Sequence, residues 1–97
     1  MTLLEFNSFD LNQKSDLVWE WGHYLTSRKK EDLNIVLFLI NDFFAEVHIS
    51  TSDNKTTCIV GIARKELHED FMTTLNHNDP FVKVFLKDLS SSRHEAA

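Results

Sequence analysis

Apolar residues recur along this chain with two distinct periods. Leu17, Val18, Trp21, Tyr24 and Leu25 follow i, i+1, i+4, i+7, i+8, and at about 100° per residue they form one helical stripe. Asp10 and Gln13 have the spacing of a capping box, with Asn12 as a competing N-cap. The pattern predicts a first helix from about Asn12 to Thr26, then a polar connection to Lys30. Leu33–Ile40 is apolar on both alternating sets, as in a strand covered on both faces. Asn41-Asp42 tolerates positive φ and suits a tight hairpin turn. Pairing across that turn sets Leu37 opposite Glu46 and Ile35 opposite His48. A second strand, Phe43–Thr51, alternates cleanly, and Ser52-Asp53-Asn54 is a second turn. Thr56–Ala63, rich in β-branched residues, is a third strand.

The helical period returns over Arg64–Asn76, where Leu67, Phe71 and Leu75 recur every four residues. Asn78-Asp79-Pro80 joins a helix stop to a new start. A last helix over Pro80–Leu89 carries Val82, Phe85, Leu86 and Leu89 on one stripe. The expected architecture is α+β, in the order α-β-β-β-α-α. It is a three-stranded antiparallel meander packed with helices, forming a single domain over 1–89 with a disordered C-terminal tail over 90–97. The strand Leu33–Ile40 then needs a second cover, either Pro80–Leu89 or another subunit.

Charge and composition narrow the function. The chain has 97 residues, with 10 Lys+Arg against 15 Asp+Glu and a formal charge of -5. That balance argues against nucleic acid, whose phosphates select clustered Lys and Arg. The element order is similar to that of double-stranded RNA-binding domains, but those place lysines at the start of the last helix. Here that stretch reads Glu66-Leu67-His68-Glu69-Asp70. A single cysteine, Cys58, excludes an intramolecular disulfide and points to a reducing compartment. The N-terminus lacks a basic segment, so no secretory signal is read. The longest apolar run, Ile35 to Ile40, falls far short of the about 20 residues a membrane-spanning helix needs. The expected setting is the cytoplasm.

Trp19-Glu20-Trp21-Gly22-His23-Tyr24-Leu25, followed by Asn41-Asp42-Phe43-Phe44-Ala45-Glu46-Val47, resembles a group of small uncharacterised bacterial proteins. In that group a W-E-x-G-x-x-L helix precedes an F-F-x-E-V hairpin. The resemblance spans roughly residues 10 to 75 and implies a bacterial source and a shared fold. It transfers no activity.

Trp19 lies about 200° from Leu17 on a helical wheel, well off the stripe. His23 follows it at i+4. Trp is enriched at interface hot spots, unless the N-terminal Leu3, Leu4, Phe6 and Phe9 fold back over it. Phe81 and Val84 likewise fall outside the stripe of the last helix. Trp19, His23, Phe81 and Val84 are therefore the candidate interface. Glu46 and His48, at i and i+2 on one strand, share a face, where a carboxylate beside an imidazole suits acid–base work or metal ligation. Metal needs a third ligand, which no spacing supplies. Cys58 reads as a buried, inert thiol. Gly22 suggests close approach of another element, and Gly61 close packing or a bulge. No catalytic residue, metal or cofactor is assigned. The sequence points to a non-enzymatic interaction module, adaptor, regulatory or chaperone-like, that forms a homodimer and has room for an unidentified protein partner. The alternative is a small-molecule-binding protein or enzyme using the Glu46/His48 face.

Overall fold

The computed structural model describes residues 1–66, Phe71 and Lys83. Two short helices come first. Helix α1 spans Leu3–Ser8 and is capped by Thr2, whose hydroxyl accepts from the Glu5 N–H while the Glu5 carboxylate accepts from the Thr2 N–H. Phe9 is extended and ends α1. Asp10 then caps α2, Leu11–Trp21, through the reciprocal pair with Gln13 that the sequence predicts, at 2.8 and 3.1 Å.

Helix α2 stops at Trp21, five residues short of the expected Thr26. Gly22 is extended, and its N–H closes the last turn on the Val18 carbonyl at 2.8 Å. The chain beyond it forms strand β1, His23–Lys30, where a helical tail and a polar connection were expected. Strands β2 (Leu33–Ile40), β3 (Phe43–Ser50) and β4 (Thr56–Ile62) follow. The sheet is four-stranded and antiparallel, in the order β1-β2-β3-β4. The fold remains α+β, but the elements run α-α-β-β-β-β, and the three-stranded meander is incorrect. The physical reason lies at Gly22. Tyr24 and Leu25 fit the helical period, yet they fit a strand equally, and an extended glycine turns the chain from one to the other. A β-bulge between Tyr24 and Thr26 then lets Leu25 enter the core.

The β2–β3 register matches the pairing read across Asn41-Asp42: Leu37 faces Glu46 and Ile35 faces His48. Asn41 sits at φ 53° and Glu31, in the β1–β2 turn, at φ 55°. Asn tolerates this left-handed region better than Glu does.

Strand β2 is packed on both faces, fully at Ile35, Leu37 and Ile40 and only partly at Val36 and Phe38. On one face α1 and α2 pack with Phe6, Val18, Ile40, Phe43, Ala45, Val47 and Ile59. On the other, Leu25, Ile35, Leu37 and Phe44 pack with Phe71. The Arg28 guanidinium lies 4.9 Å from the Phe71 ring centroid, a cation–π contact. The second cover thus includes Phe71; of the stretch read as the Arg64–Asn76 helix, Arg64–Glu66 forms a 3-10 turn, and the rest apart from Phe71 lies outside the described residues. The expected Pro80–Leu89 helix, apart from Lys83, and the 90–97 tail lie outside the described residues.

The β4 edge is closed by side chains. Asn7 donates to the Gly61 carbonyl at 3.0 Å and accepts from the Gly61 N–H at 2.8 Å, taking the place of a neighbouring strand. Lys14 Nζ donates to the Ile59 carbonyl at 2.9 Å. Exposed edges template unwanted pairing, so helix-borne polar groups here protect the sheet. A Cβ at Gly61 would lie 2.7 Å from Leu3 Cδ1 and 2.9 Å from Phe6 Cδ2. The close packing expected at Gly61 is therefore the seat of α1.

Candidate functional site

Helix α2 crosses its face of the sheet obliquely. Its Lys14 end sits at the β4 edge, and its Gly22 end lies beside Phe38 of β2, whose ring a Cβ would meet at 3.3 Å. Strands of eight residues run roughly 26 Å, whereas a helix with its side chains is about 10 Å wide. One crossing helix, with α1 beside it near β4, cannot cover that length. Among the described residues, the part of the face beyond the two helices is floored by Val36, Phe38, Val47 and Ile49, and it forms an apolar groove of about 410 Å³.

Val18 and Trp19 wall the groove, and Ser15, Asp16 and Thr56 give it polar margins. Val18 points into the core. Trp19, one residue later, is turned about 100° away and stands 92% exposed at the rim. Continuing from the floor, the register sets Lys29 opposite Asn34, and Asn34 opposite Ile49. The exposed Lys29 therefore lies on the groove's side of the sheet, beyond Val36. Tyr24 lies on the same side, its ring edge-on to Phe38 with centroids 6.1 Å apart.

The structure separates the residues of the expected interface. Trp19 is exposed as its helical position implied, and the N-terminal segment does not cover it, because α1 packs on Gly61 and Phe43 instead. His23 does not flank Trp19. It opens β1 and pairs with Leu39, on the face opposite the groove. Phe81 and Val84 lie outside the described residues. Trp21, whose place on the predicted helical stripe implied burial, is 65% exposed and edges a second depression with Phe9 and Leu17.

Glu46 and His48 meet as the spacing suggested, with His48 Nε2 3.2 Å from Glu46 Oε1 and both side chains largely buried. They share the face that Phe71 covers. Cys58 pairs with His48 across β3 and β4, but it is exposed, contrary to the buried thiol expected. Among the described residues no three His, Cys, Asp or Glu side chains are grouped to hold a metal. What the pair can do is exchange a proton or orient a small polar ligand against an apolar wall.

The groove floor was not foreseen. Its signal was present in Val36 and Phe38, the set of β2 that needs covering, but the crossing of α2 decides which part stays open. Among the described residues no helix is long and apolar enough to cross a membrane. Comparison with protein-family models, curated proteins and solved structures gives no match.

Proposed function

We propose that this chain is a non-enzymatic protein-interaction module, adaptor, regulatory or chaperone-like, that self-associates in the cytoplasm of a bacterial cell. The reading rests on one observation: an indole 92% exposed at the rim of an apolar groove. A tryptophan in water forgoes the burial of about 150–250 Å². Tryptophan is also among the commonest anchors of protein interfaces. An apolar surface rimmed by polar side chains has the anatomy of a docking patch. The bacterial source follows from the sequence resemblance alone.

Equilibrium sedimentation of the full chain at micromolar concentration tests the proposal. A dimer mass is expected, and Trp19→Asp is expected to shift it towards monomer without unfolding it, its far-UV circular dichroism unchanged. A wild-type chain that stays monomeric at hundreds of micromolar contradicts self-association.

A second reading is favoured by the Glu46–His48 contact of 3.2 Å. It takes the Phe71-covered face as a site for a small polar ligand. Its mark would be a ligand whose binding is lost in both Glu46→Gln and His48→Asn while Trp19→Asp keeps it.

A further inference from the structure

Resting on the reading of the chain as a self-associating module, we infer that the groove of each protomer receives Trp19 of a second copy. The two α2 helices lie across a two-fold axis, and each serves as the missing cover for the other's sheet. The argument begins with placement. A two-fold interface brings one patch against itself, so it must carry both a projection and its receptor. Trp19 and the groove floored by Val36, Val47 and Ile49 occupy one patch. A foreign partner would have to bring its own projection and would leave Trp19 without a receptor.

Charge agrees. Asp16 lines the groove on the helix side, and the register places the exposed Lys29 on the same side of the sheet, opposite Asn34. A two-fold operation can bring Asp16 of one copy towards Lys29 of the other, despite the negative charge of the whole chain. Opposed potentials of this kind fix register. Area agrees too. Each copy would lose its own indole, about 200 Å², and a similar area of groove wall. That is roughly half of the about 800 Å² per partner of a standard interface. Tyr24, 55% exposed on the same side, and the polar margins of α2 supply further area.

Complementation between two full-length variants tests this. Trp19→Ala removes the projection and one wall but leaves the groove floor of Val36, Val47 and Ile49 in place. Ile49→Lys obstructs the groove floor and leaves the projection. If Ile49→Lys fails to fold by far-UV circular dichroism, Thr56→Phe narrows the groove from its margin without burying a charge. Each variant alone is expected to dimerise at least about tenfold more weakly than wild type. An equimolar mixture should form a heterodimer roughly tenfold or more tighter than either homodimer, because one projection and one open groove survive in it. A mixed dimer no tighter than the mean of the two homodimers would overturn the inference, since it would mean that Trp19 packs on its symmetry mate or elsewhere. In that case the wild-type dimer would still support the module reading. A wild-type monomer at hundreds of micromolar overturns both.

Discussion

Truncation of Phe6 to alanine is expected to destabilise the protein by about 3–5 kcal/mol, although this residue belongs to a helix of only six residues. The Phe6 side chain is completely buried. Its ring centroid lies 5.3 Å from that of Phe43 in a tilted pair. Lys14 Nζ lies 6.0 Å from the ring centroid, and the ring packs close above Gly61. Transfer of a buried phenyl ring to water accounts for about 1.5–3 kcal/mol, and the cavity left against Phe43 and Gly61 adds the rest. A domain of this size has about 5–15 kcal/mol in all. With a urea slope of about 1–1.5 kcal/mol/M, the midpoint should fall by roughly 2–5 M. Trp21→Ala is the internal control: at 65% exposure it should cost only about 1 kcal/mol or less. Urea titrations followed by far-UV circular dichroism give both values. A Trp21→Ala shift larger than that of Phe6→Ala would refute the docking of α1 and restore the longer first helix.

Two further outcomes follow from the β4 edge. Gly61→Ala, which in an open strand would be neutral or stabilising by about 0.4–1 kcal/mol, should instead destabilise by about 1–3 kcal/mol. Its Cβ would press on Leu3, Phe6 and Asn7, and a raised melting temperature would show that α1 does not sit there. Cys58 is exposed, so a thiol reagent should label one group per chain under native conditions at a rate close to that in denaturant. Strong protection of the thiol would place it back in the core.

Much of the fold was legible because some signals are local. Asp10 and Gln13 fix a helix start by their own hydrogen bonds, and Asn41-Asp42 fixes a turn whose register then follows residue by residue through β2 and β3. Thr2 and Glu5 carry the same capping signal as Asp10 and Gln13, but Leu3 and Phe6 are too few to display a period, so α1 went unread. The fourth strand was lost to an ambiguity of period. Tyr24 and Leu25 continue the stripe of Leu17 and Trp21, and only the backbone of Gly22 shows that the helix has ended. Trp21 was misplaced for the same reason. With the helix cut short after it, nothing continues the stripe to hold the indole against the sheet.

The candidate site was half legible on similar grounds. Exposure of Trp19 follows from a single angle on one helix, which the sequence encodes. The groove depends on the distance between elements far apart in the chain: how obliquely eleven residues of α2 cross the sheet, and where α1 is seated by Gly61. Helical periodicity contains no term for either. Yet the two features have a common origin. The contacts that pin α2 between the Ile59 carbonyl and the Phe38 ring leave Val36 and Ile49 only half-buried. They also turn Trp19 outward beside the gap. The element beside the groove that presents an unburied apolar side chain is itself a helix, α2, with Trp19 92% exposed. A second α2 is proposed to fill this groove because one patch carries both an exposed indole and an apolar floor.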